Sequence, residues 1–211
     1  MAVQFSDQFL DELFAPGIST FRKAEIPDLA DVSPEVEHWL SNHFLNSLFD
    51  TRFESHSKQA AMTHLFRTQN AIRAFQSARE KALGCVSNYK SGRPDTQNYL
   101  AAVAAWEVTL LNTQILIDLR ENMFDRKGAR TDAECRIWEA SNRLKHYGED
   151  IRRGLNEAHW TLPLWLTGQG LKTRTGNVSY EELAGCLRVF AKMADMLQNP
   201  ASFSFGQPKP G

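Results

Sequence analysis

The sequence predicts an all-α protein: an antiparallel four-helix bundle with an N-terminal helical extension and a small β-hairpin before the last helix. Three observations lead there. Apolar residues recur at helical spacing over long stretches between 58 and 198. Helix starts of the hydroxyl-x-x-acid type stand at Thr131–Glu134 and Ser179–Glu182. Breakers such as Pro16-Gly17, Ser91-Gly92-Arg93-Pro94, Lys127-Gly128 and Asn199-Pro200 fall between these stretches, leaving short connections that favour antiparallel neighbours.

Taken in order, residues 6–14 form a short amphipathic patch (Phe9, Leu10, Leu13, Phe14) ended by Pro16-Gly17. Ser33-Pro34-Glu35 has the form of a helix start, with a capping hydroxyl, proline at the first helical position and acids in the first turn. The helix it opens, over about 34–49, carries Val36, Trp39, Leu40, Phe44 and Leu48. Residues 1–57 thus read as an extension packed onto a main body at 58–199. The body's first helix spans about 58–90, with Leu65, Ile72 and Val86 on a seven-residue grid and Phe75 and Ala82 beside it. Asp95 can cap the second helix, about 96–123, which is apolar on more than one side (Val103, Trp106, Val108, Leu110, Leu111, Ile115, Leu116, Ile117, Leu119). Such a helix belongs in the middle of a bundle. The third opens at Thr131 and runs to Arg153 before Gly154. Short extended runs around Gly168 and Gly170, within about 162–174, read as a hairpin whose first run Pro163 confines to an edge. The last helix runs from Ser179 to about 198, and residues 200–211 form a loose tail.

Composition narrows the function. The 211 residues carry 24 Lys+Arg against 25 Asp+Glu, a formal charge of −1, which argues against a broad electrostatic grip on nucleic acid. No uninterrupted apolar run approaches the ~20 residues of a membrane span, so no membrane association is expected. The start, with Asp7, Asp11 and Glu12 and no basic region, does not resemble a secretory signal. Cys85, Cys135 and Cys186 are isolated, which points to buried, reduced thiols in a cytoplasmic protein. No metal or other cofactor is expected: His38 and His43 are five apart, and no HxxxH or HExxH occurs. Gly168-Gln169-Gly170 lacks the Lys-Ser/Thr of a phosphate loop. Lys172 and Arg174, near Trp160 and Trp165, offer charge and stacking for a nucleic-acid strand, or simply a hairpin packed through Trp165.

The third body helix is the most informative. Ile137, Ala140, Leu144, Tyr147 and Ile151 form its core stripe. Asn142, His146, Glu149 and Arg153 fall roughly opposite, with Glu139 at the stripe's margin and Trp138 and Lys145 flanking. Asn142 and His146 are helical neighbours, and a histidine there can serve as acid or base at neutral pH. A tryptophan off the core stripe suggests a second subunit against this face.

The string Asn142-Arg143-Leu144-Lys145-His146, late in a bundle's third helix, resembles the signature of the HEPN superfamily, an Arg often followed by Asn with a His four to six residues on. The resemblance spans about residues 58–199 by helix order and Asn142–His146 by motif. It implies an up-and-down helical bundle, commonly dimeric, with motif residues of two subunits meeting in a cleft. It further implies a metal-independent RNase of toxin–antitoxin or anti-phage systems, with His146 as acid or base, Asn142 beside it and Arg143 or Arg153 on phosphate. The sequence departs from the motif at Ser141, where the Arg would stand; Arg143 is three before the histidine and Arg136 ten. Serine cannot stabilise an anionic phosphate as Arg does, so the expected role is a dimerising or partner-binding helical protein. The alternatives are an RNase acting on RNA or a nucleotide at a dimer cleft, and a sensor holding a small molecule between Trp-bearing helices such as those of Trp39, Trp106 and Trp138.

Overall fold

The computed structural model describes residues 18–32, 38–49, 55–90, 96–124, 129–155 and 162–198. Within them the chain is mostly helical. A single turn, α1 (Ile18–Phe21), precedes α2 (Trp39–Phe49), α3 (Ser55–Lys90), α4 (Thr96–Phe124) and α5 (Asp132–Arg152). Strands β1 (Trp165–Leu166), β2 (Gly170–Thr173) and β3 (Gly176–Ser179) lead into α6 (Tyr180–Leu197). The patch at 6–14, the start at Ser33–Glu35, the Asp95 cap, Trp160 and the tail beyond 198 lie outside the described residues.

The caps form as their spacing predicts. Thr131 and Glu134 make a complete capping box at α5, and Ser179 and Glu182 make one at α6. Gly154, at φ +66°, closes α5. Its N–H donates to the Ile151 carbonyl and that of Leu155 to the Asp150 carbonyl, a Schellman ending that needs this left-handed residue.

Three strands stand where a hairpin was expected. β1–β2–β3 is an antiparallel meander, with Trp165 opposite Lys172 and Thr173 opposite Gly176. The third strand was hidden because Ser179 both ends β3 and caps α6. Gly170 is required: a Cβ there would run into the Val178 carbonyl oxygen.

α3 and α4 pack lengthwise as an antiparallel pair, with Phe75 edge-on to Trp106 at 5.1 Å and Tyr180 of α6 against the same indole at 5.0 Å. Leu65, Ile72, Phe75 and Ala82 are fully buried. The segments before α3 are tied to the last elements. Gly168 donates to Thr20 Oγ1 (3.1 Å), Trp39 Nε1 donates to Asp195 (2.6 Å), and His43 Nδ1 donates to the Leu197 carbonyl (2.8 Å).

Several expectations need correction. α4 is not enclosed: Val108 is 51% exposed, Leu100 42% and Ile115 37%. Residues Thr96–Met123 are also long and apolar enough to cross a membrane by length and composition, though half of the most apolar window is buried in the fold. Counting only unbroken apolar runs overlooked this, because Thr109, Asn112, Thr113 and Gln114 interrupt the run without adding charge. On α5 the buried stripe is turned from the expected one. Ile137 and Ala140 are buried as foreseen, but Ser141 and Asp150 join them, while Ile151 is 58% exposed. Cys85 and Cys186 are buried and in no disulfide, whereas Cys135 is exposed. Phe44 and Leu48 of α2 point outward beside Leu45.

Candidate functional site

α4 and α5 run antiparallel, and four contacts fix their register. Ser141 Oγ donates to the Leu110 carbonyl (3.1 Å) and, within its own helix, to that of Ile137 (2.8 Å). Gln114 Nε2 donates to Asn142 Oδ1 (3.0 Å), Trp138 Nε1 to Asp118 Oδ1 (3.0 Å), and Arg120 reaches both Glu134 oxygens (2.5 and 2.9 Å). The Arg153 end of α5 therefore lies at the Leu100 end of α4, and Glu139 lies near the level of Ile115.

These contacts disperse the expected RNase constellation. Ser141 is fully buried, aimed at α4 rather than at a cleft. Asn142 is held by Gln114, not by His146. Arg143 turns to Asp150 (3.5 Å), which Arg174 of the meander also approaches (3.7 Å). Thus Arg174 braces the meander on α5, and Trp165 is buried as the packing alternative supposed. His146 has a side chain 63% exposed, its Nδ1 3.8 Å from Glu149. Glu149 is taken up chiefly by Arg153 at 2.5 Å, with Arg152 at 3.8 Å. Glu139 and Lys145 are exposed, with no ion pair among the described residues. Trp138 is half-buried within its own chain, its ring faced by Arg130 at 4.4 Å. Arg130 in turn binds Glu121 and Asp118. Intrachain packing accounts for this tryptophan, so it gives no reason to place a second subunit there.

Beneath this surface, Glu134 anchors α5. Burial pushes its carboxyl up, but the Arg120 guanidinium and the Thr131 N–H outweigh that and hold it below its ordinary value. Burial raises the neighbouring Cys186 thiol to about 12, so it is inert as a nucleophile. His64 is fully buried against the Phe190 ring, with neither ring nitrogen in a well-formed hydrogen bond. Burial lowers its pKa to about 4, keeping it neutral. No group of three His, Cys, Asp or Glu side chains among the described residues is placed to hold a metal.

The feature missed in the sequence is the outward face of α4. Ala101, Ala104, Val108, Leu111 and Ile115 recur at alternating three- and four-residue steps and form one apolar stripe. Ala101, Ala104, Val108 and Ile115 are exposed and Leu111 is partly so. The polar face of α5 borders it along its length. Half-buried Glu107 sits on the same helix, its carboxyl raised by burial. The spacing was visible, but the equally apolar inner face masked it.

The chain matches no protein-family model, no curated protein and no solved structure.

Proposed function

We propose that this protein is a non-catalytic helical docking module, its four long helices acting as a HEPN-like bundle and the outward face of α4 as the docking surface. The observation that carries the reading is the stripe Ala101–Ala104–Val108–Leu111–Ile115, with Leu100 beside it, apolar and open on a helix whose other faces are packed. A soluble domain seldom leaves a contiguous apolar strip uncovered unless something binds it. The α5 side supports the same reading. Ser141 is spent on main-chain carbonyls, Asn142 on Gln114 and Arg143 on Asp150, so the position of the motif Arg supplies no cation to a phosphate.

The test uses wild type, His146→Ala and a Val108→Glu/Ile115→Glu double variant. Each is incubated with total RNA without added metal, then used as bait in quantitative affinity capture. The expected result is no RNA cleavage by wild type or by His146→Ala, and loss of associations, self-association included, for the α4 variant. Cleavage by wild type that His146→Ala abolishes overturns the reading, as do identical associations for wild type and the α4 variant.

A further inference from the structure

The α4 face is self-complementary, and we propose that its occupant is a second copy of this chain, paired antiparallel about a two-fold axis between Val108 and Leu111. The inference rests on the docking reading and names its partner. Size is the first argument. Antiparallel pairing sets Val108 against the partner's Leu111 and Ala104 against the partner's Ile115, so each bulky side chain meets a smaller one. Parallel pairing would set Ile115 against Ile115 and Ala104 against Ala104, crowding one end and leaving a void at the other.

Charge is the second argument, and it uses α5. A two-fold that joins two α4 stripes head to tail also brings α5 beside α5, reversed. Asp132, Glu139, His146 and Arg153 recur every seven residues, so they share one side of that helix. Exposed Asp132 and Glu139 mark the Ile115 end of the face, and exposed Arg153, with Arg152 beside it, marks the Leu100 end. Antiparallel pairing directs Glu139 onto the partner's Arg153. Parallel pairing would carry the two α5 helices to opposite sides and leave these charges unmatched. Glu149 already neutralises part of the arginine pair, so the charges set orientation while the apolar stripe supplies most of the affinity. From Leu100 to Asn122 the face runs about 33 Å at ~1.5 Å per residue. Two helices wide, it offers roughly the ~800 Å² per partner of a stable interface.

The experiment combines light scattering with engineered cysteines in the full chain, in a Cys135→Ser background. The expected mass is near twice 23.9 kDa. Val108→Glu/Ile115→Glu, both at exposed positions, should raise the dimer dissociation constant at least tenfold with an unchanged helical spectrum. Under mild oxidation, Val108→Cys should link to itself across the axis. Ala104→Cys/Ile115→Cys should link efficiently, and Ile115→Cys alone should not. A clean monomer at high micromolar concentration overturns the proposal, as does self-linking of Ile115→Cys. So does wild type that floats with lipid vesicles in an α4-dependent manner instead of dimerising. If wild type is monomeric yet its captured associations still depend on Val108 and Ile115, the self-pairing fails and the docking face stands. If the α4 variant alters neither, both fall.

Discussion

Ser141 shows how a single side chain redirects a functional reading. Its hydroxyl serves the carbonyls of Leu110 and Ile137 inside the α4–α5 contact, so installing the missing motif cation buries a charge without a partner. Ser141→Arg is therefore expected to lower stability by about 3 kcal/mol or more, or to prevent folding, without creating RNase activity. Ser141→Ala should cost only ~1 kcal/mol. Urea titrations of the two variants check this. His64 gives a second residue-scale expectation. Its folded pKa, about 4, lies below the ordinary histidine value, so the unfolded chain binds the extra proton first. Stability should rise with pH between about 4 and 6.5 and be lost on acidification through that window, by about 3 kcal/mol. Buried His43 adds in the same direction, its pKa lowered mainly by desolvation. His64→Leu should flatten this limb, leaving the carboxylates held low, such as Glu134 and Glu182, to act below about pH 4.5. Denaturant midpoints of both proteins from pH 4.5 to 7.5 decide it.

Among the elements, α5 is the one most dependent on a single residue. Glu134 completes the cap on Thr131 and neutralises Arg120, whose guanidinium also lies over the Phe190 ring of α6 at 5.7 Å. Glu134→Ala should cost about 3–5 kcal/mol, since it strands a largely buried cation. Ser179→Ala, removing a cap alone, should cost ~1 kcal/mol. Arg136→Ala, breaking an exposed ion pair with Glu182, should cost less than ~1 kcal/mol. Thermal melts should rank the three in that order. Both described capping boxes were legible in the sequence because a cap is a local device, read from four consecutive residues. Helix rotation was not. The α5 stripe was misplaced because Asp150 and Ser141, polar by type, are buried by partners remote in sequence, Arg174 and the Leu110 carbonyl. The open side of α4 was illegible for the converse reason: periodicity reveals that two faces are apolar, not which one the rest of the chain covers. The third strand escaped notice because its last residue doubles as a helix cap.

At the scale of the molecule, the buried aromatic contacts join distant parts of the chain. Trp106 touches Phe75 and Tyr180, and Tyr99 touches Phe21 and stacks on Trp165 at 6.4 Å. Unfolding of these regions should be one event, with tryptophan fluorescence and far-ultraviolet ellipticity changing at the same denaturant concentration. Two separated transitions would show that the segment before α3 melts independently.

The bonds from Trp39 to Asp195, His43 to Leu197 and Asn46 to Gln198 also bear on the order in which the polypeptide is made. α2 leaves the ribosome early, yet the groups that seat it are some 150 residues downstream and are among the last of the described fold to emerge. Until then α2 has only α3 to pack on, with Lys58 Nζ donating to the Ser47 carbonyl (3.2 Å), and the inner faces of α3 and α4 lack the Tyr180 and Phe190 side chains that close them. Nascent chains stalled before Tyr180 should therefore be cut readily by protease and recruit chaperones, and resistance should appear abruptly once α6 clears the exit tunnel.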